Sequence, residues 1–160
     1  DLEASIPASP DTVYQIGSLS MQFTAAAVMQ LSERGQLDLN TPISQYLEGL
    51  PEALQSFTLH QLLTHTSMIY DSPFEMQEKF FGQQDFTSET LLQELVPSLQ
   101  VSSNDVTERF SYGNYILAGL IVEKVSGLSY PDYLNQYVFA PAGLQHTSYC
   151  LPPPAAMARG

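Results

Sequence analysis

The chain has one cysteine, Cys150, and only five basic residues among 160. A lone cysteine excludes an intrachain disulfide and a cysteine zinc cluster. The five cations are Arg34, Lys79, Arg109, Lys124 and Arg159; against 17 acidic residues they leave a formal net charge of −12. No nucleic-acid partner is expected, because neutralising phosphates takes basic patches. Acidity of this size mainly favours solubility. The histidines His60, His65 and His146 show no H-E-x-x-H or similar ligand spacing, so neither a metal nor another cofactor is expected. No apolar run reaches the ~18 residues of a membrane span. No signal-peptide pattern stands at the start, and the opening on Asp1 rather than Met reads as a processed or trimmed product. Runs of alternating apolar and polar residues, the mark of strands, are missing as well.

What is present is a globular composition with a helical pattern. Hydrophobic residues make up 44% of the chain, enough for a core in one domain. Residues 1–13 read as an extended lead-in. A long helix is expected from Ser18 to Arg34, stopped by Gly35 and apolar almost all round between Phe23 and Met29, so that more than one side should be buried. Thr41-Pro42 predicts a short helix over 42–48. Thr58 and Gln61 have capping-box spacing before a helix from Leu59 to Thr64. Asp71 to Gly82 reads as a short helix with a loop. Thr87 or Ser88 caps another helix with Leu91, Leu92, Leu95 and Val96 on one face, and 98–109 reads as a polar loop. Ile116, Leu117, Leu120, Ile121 and Val125 give a helical period from Asn114 to Ser126, ended by Gly127. Ser129 caps a last helix from Tyr130 to Phe139, stopped by Pro141. The expected fold is mostly α.

The segment with the most chemistry is Gly17-Ser18-Leu19-Ser20-Met21, at the mouth of the first helix. Residues three apart on a helix share a face. A lysine one turn after Ser18 would bring an amine to the serine oxygen and take its proton as the serine attacks a carbonyl. Backbone N–H groups at the helix start would favour the developing oxyanion. The position holds Met21, which has similar reach and no titratable nitrogen. Taken alone, Gly17-Ser18 is a turn and a helix cap.

Three further segments carry a resemblance. His60-Gln-Leu-Leu-Thr-His-Thr-Ser-Met-Ile69, Arg109-Phe-Ser-Tyr-Gly-Asn-Tyr115, and the pair Gly119–Gly127 and Val138–Leu144 occur in this order after Ser18. Together they resemble the class C β-lactamase, D,D-peptidase and esterase group of the serine β-lactamase and penicillin-binding family, with S-x-x-K degenerate at Met21 and Y-x-N present as Tyr112-Gly-Asn114.

The resemblance implies that Ser18 is the acylated serine, that Met21 stands in the lysine position, that Tyr112 helps move protons, and that Asn114 hydrogen-bonds the amide of the substrate. The residues allow this. A phenol relays protons where cations lower its pKa, and a carboxamide both donates and accepts. Without the resemblance, Tyr112 is a core aromatic and Asn114 a helix N-cap.

Three departures stand beside it. Met21 replaces lysine. Met68 replaces the glycine after Thr-Ser, a position where strain of about 1 kcal/mol or a changed turn is expected. The chain also stops at Ala158-Arg159-Gly160, before the family's third motif and its sheet strand.

The expected architecture is a single partial domain over 1–160: the helical domain of the β-lactamase/D,D-peptidase-like fold, lacking most or all of its antiparallel sheet. The expected function is that of a chain derived from a serine hydrolase acting on amide or ester carbonyls, inactive in this form. A non-catalytic binding domain and an engineered helical scaffold stay open as alternatives. β-Lactam, D-amino-acid peptide and simple ester stay open as the parent's small-molecule or peptide substrate. The resemblance alone suggests a periplasmic or secreted location. The apolar girdle of the first helix predicts a homo-oligomer or a strand-bearing partner.

Overall fold

The computed structural model describes residues 5, 7–9, 12–71, 87–102 and 109–149 of the chain. Residues 12–16, without regular structure, run into a 3-10 turn, Gly17–Ser20, which passes directly into α1, Met21–Glu33. Arg34 closes α1, and Gly35 follows at φ +68, where a side chain is disfavoured. Ser18 therefore lies on the entry turn and Met21 is the first α-helical residue.

The helix expected over 42–48 contracts to a 3-10 turn, Ile43–Gln45, behind Pro42. An additional short helix, α2, spans Glu52–Gln55. The capping box at Thr58 forms as expected: Thr58 Oγ1 accepts from the Gln61 N–H, and Gln61 Oε1 accepts from the Thr58 N–H, at the start of α3, Leu59–Leu63.

Two short strands, β1 (Ile69–Tyr70) and β2 (Gln100–Val101), pair antiparallel with Ile69 opposite Val101. The sequence pattern missed them because a two-residue strand has no room for alternation. Of the helix expected from Asp71 to Gly82, residues 72–82 lie outside the described residues. Thr87 caps α4, Ser88–Leu95, by accepting from the Thr90 N–H.

The next helix, α5, spans Tyr112–Ser126 and begins two residues before the expected Asn114. Ser111, in extended conformation, is its N-cap and accepts from the Asn114 N–H. Asn114 is thus the third helical residue and not the cap. Hydrophobic periodicity could not see this, because the first turn reads Tyr-Gly-Asn and the apolar repeat starts only at Ile116. Ser129 then caps α6, Tyr130–Leu134, which continues as a π-helical segment, Asn135–Phe139.

The molecule is mostly α, organised around α5. Helices α1, α3, α4 and α6 and strand β1 all pack on it. Its apolar residues surround the axis, so Leu117, Ala118, Leu120, Ile121 and Val122 are buried on several sides. Helix α1, expected to be enclosed, instead buries Thr24, Ala27, Val28 and Leu31 and leaves Met29 43% exposed. Thr24 hydrogen-bonds the Tyr130 hydroxyl at 2.6 Å, and the Gln30 carboxamide donates to the Tyr137 carbonyl at 2.8 Å, so α1 is fastened to α6 and its extension by polar contacts as well as by packing.

Candidate active site

Helix α1 packs on α5, and two local structures, one on each helix, carry the expected site residues. The first is the entry turn of α1. Ser18 is exposed there, and among the described residues its hydroxyl has no side-chain partner. Ser20 Oγ donates back to the Gly17 carbonyl and so stabilises the turn rather than capping α1, whose first N–H groups receive no side-chain cap. Gly17 sits at φ +52, the left-handed region that favours glycine. Met21 is half-buried.

The second is the first turn of α5. Tyr112 is half-buried, and its ring meets the Phe110 ring edge-to-face at 5.1 Å. Asn114 is fully buried. Its Oδ1 accepts from Ser67 Oγ at 2.8 Å, and its Nδ2 lies 3.3 Å from His65 Nδ1. The Ser67 hydroxyl in turn accepts the Ile69 N–H. Each end of the carboxamide thus has one internal partner, with one N–H and one lone pair left over. Gly113 packs so tightly on Leu99 that a Cβ there would stand 2.3 Å from Leu99 Cδ2.

Residues from outside the pair of motifs hold this turn. The Asp71 carboxylate, buried, accepts the N–H groups of Tyr112 and Gly113. With Ser111 taking the third, the first three N–H groups of α5 are satisfied, so this helix end has no free donors for a substrate oxyanion. His65 Nδ1 accepts the Ser111 N–H at 3.3 Å, and the His65 carbonyl accepts the Arg109 N–H at 2.9 Å. Burial lowers the His65 pKa below its ordinary value, an effect larger than the opposing pull of the Asp71 carboxylate. Sequence reading quoted His65, Ser67 and Asp71 without giving them a role; the signal present was the intact Thr-His-Thr-Ser run. His65 (φ +57), within that run, and Met68 (φ +64), just after it, both occupy the left-handed region, so Met68 does sit where glycine is favoured.

Among the described residues, no hydrogen bond or ring contact brings a cationic side chain to Ser18 or Met21. The Arg109 guanidinium lies 3.9 Å over the Tyr70 ring. Among the described residues no cluster of His, Cys, Asp and Glu could hold a metal ion, and no helix is long and apolar enough to cross a membrane.

The Beta-lactamase family model matches residues 1–159, and the chain belongs to that family. It is 31% identical over 147 residues to penicillin-binding protein 4* of Bacillus subtilis (strain 168), covering 88% of this chain and 31% of that protein. Among solved structures it resembles the octameric penicillin-binding protein homologue from Pyrococcus abyssi, with 32% identity, 90% of this chain and 34% of that one covered, and a TM-score of 0.73. It also resembles D-amino acid amidase from Ochrobactrum anthropi SV3, with 27% identity, 89% and 39% covered, and a TM-score of 0.76. The chain spans about a third of the length of the curated relatives it matches.

Proposed function

We propose that this chain carries the nucleophile segment and the Tyr-x-Asn segment of an enzyme that opens amide or ester carbonyls through an acyl-serine, and that with Met21 in the lysine position it turns over little or no substrate. The observation that carries the reading is Ser18, exposed on the turn that enters α1, with Met21 as the first α-helical residue after it. Ser18 Oγ would attack the carbonyl carbon and give up its proton as the new C–O bond forms, and the amine or alcohol would leave with a proton as the scissile C–N or C–O bond breaks. A lysine amine would receive the serine proton; the Met21 thioether cannot. Tyr112 is the one titratable member of the set that remains, and Asn114 the one that would meet the substrate amide. The likeness to a D-amino acid amidase and a D-stereospecific amidohydrolase favours an amide next to a D-configured centre over a simple ester.

The test is turnover of nitrocefin, a D-amino acid amide and a p-nitrophenyl ester, with intact mass after exposure to a fluorophosphonate. We expect rates far below the ~10 s⁻¹ of an ordinary enzyme, and a slow adduct that Ser18→Ala removes. A rate within about tenfold of that value would sink the reading. Met21 also favours a second reading, a binding domain that keeps the cleft without the reaction: tight non-covalent retention of a β-lactam with no adduct at any time would select it.

A further inference from the structure

We propose that His65, as a neutral imidazole with its hydrogen on Nε2, is a positioning residue that sets the orientation of the Asn114 carboxamide and the start of α5. The inference deepens the reading of Tyr112 and Asn114 as site residues and rests on it for its functional meaning. The geometry is independent of whether Ser18 is acylated.

Nδ1 of His65 receives two donors: the Ser111 backbone N–H at 3.3 Å and the Asn114 carboxamide at 3.3 Å. A backbone N–H can only donate, so Nδ1 carries no hydrogen. With Nδ1 as acceptor, the Asn114 end that faces it is Nδ2, and Oδ1 is turned to the Ser67 hydroxyl. Oδ1 can only accept, so the Ser67 hydroxyl donates to it and uses a lone pair for the Ile69 N–H. The order Ile69 N–H, Ser67 O–H, Asn114 carboxamide, His65 Nδ1 therefore has one polarity. Ser67 and Asn114 are fully buried and Ser111 nearly so, which leaves no water to replace a lost partner.

Protonating Nδ1 would reverse that polarity. The ring would then present a hydrogen to two donors, leaving the Ser111 N–H without an acceptor and forcing the Asn114 carboxamide to rotate. The Asp71 carboxylate favours the charged ring, burial opposes it more strongly, the Tyr115 phenol is held neutral by its own burial with its hydroxyl on the Leu63 carbonyl, Tyr112 stands at the start of α5, and the Arg109 guanidinium is on Tyr70. The left-handed backbone of His65 adds a constraint that asparagine tolerates and alanine does not.

The test uses imidazole nitrogen NMR on the intact chain from pH 7.5 to 5.0, with His65→Asn and His65→Ala. Asparagine places an acceptor oxygen at the δ position and cannot titrate. We expect the Nε2–H tautomer at pH 7.5 and an Asn114 side-chain amide signal that moves with the same midpoint as His65. His65→Asn should keep its melting temperature within about 2 °C of the parent at pH 7.5, with that amide signal no longer moving with pH, while His65→Ala loses about 4 °C or more. An Nδ1–H or charged ring at pH 7.5, or equal damage from Asn and Ala, would overturn the proposal. Should His65→Ala not fold, the tautomer and His65→Asn decide it. A correct tautomer beside an unreactive Ser18 would sink only the acyl-serine reading.

Discussion

The Asp71 carboxylate accepts the backbone N–H of Tyr112 at 3.2 Å and, through its other oxygen, that of Gly113 at 3.4 Å. Asp71 follows β1 in the chain, so one side chain ties the strand to the turn that presents Tyr112 and Asn114. A carboxylate at a helix N-terminus meets both the unpaired N–H groups and the positive end of the dipole. We expect Asp71→Ala to cost about 2–3 kcal/mol and Asp71→Asn about half as much, because asparagine keeps an acceptor and loses the charge. Urea unfolding monitored by circular dichroism measures both; equal losses would show that charge plays no part.

Gly113 and Leu99 form a second contact that specifies the motif. A methyl group on Gly113 would displace the Leu99 side chain, whose Cδ2 stands 2.3 Å from the added atom. Overpacking of this kind costs about 1–3 kcal/mol. We expect Gly113→Ala to be destabilising alone and close to neutral in a Leu99→Ala background. Simple additivity of the two changes would show that they do not share that space.

Alkaline unfolding should report on α6. Burial pushes the Tyr130 hydroxyl, bonded to Thr24, up from 10.0 to about 12. The folded state holds this proton longer than the unfolded chain does. Its contribution is therefore complete below pH ~10 and is lost as pH rises toward ~12, a change of ~3 kcal/mol across the window. Tyr130→Phe should flatten that limb of the stability profile. It should also cost about 1–2 kcal/mol at neutral pH, because the nearly buried Thr24 hydroxyl loses its partner. A limb unchanged by Tyr130→Phe would assign it to other groups.

Met21→Lys restores an amine one turn from Ser18. General-base assistance contributes roughly 10²–10⁴ in rate, so fluorophosphonate labelling of Ser18 should rise by about 10² or more. Because Met21 is half-buried, the variant should also lose some stability. Labelling that stays at the parent rate would mean that the amine does not reach Ser18.

Val13 (63%), Tyr14 (64%) and Ile16 (42%) before Ser18 and Leu19 (66%) after it are exposed, as is Met29 on α1. We expect these exposed apolar side chains to favour self-association. Light scattering at micromolar concentration should give a dimer or larger species, and Tyr14→Ser with Leu19→Ser should shift it to monomer. Monomer at every concentration, with no binding of hydrophobic dye, would contradict this.

Much of the helical fold was legible from local chemistry. The capping box at Thr58, the Ser129 cap and the glycines at 35 and 127 act within a few residues of themselves, so sequence spacing determines them. The absence of lysine at position 21 was equally plain, since a titratable nitrogen is a property of a residue type. The order of the motifs placed the chain in its family before any coordinate did.

Tertiary structure decided what joins distant segments. That Ser67 and His65 take the two ends of the Asn114 carboxamide, 47 and 49 residues away, depends on how the turn after α3 docks on α5. That Asp71 rather than a nearer side chain satisfies Tyr112 and Gly113 depends on the same docking. Which helix becomes central was also undecided locally: α1 and α5 are both apolar around their axes, and only the packing of four other helices on α5 separated them. Hydrogen bonds and burial of this kind are set by which surfaces meet, and residue spacing along a chain carries no record of that.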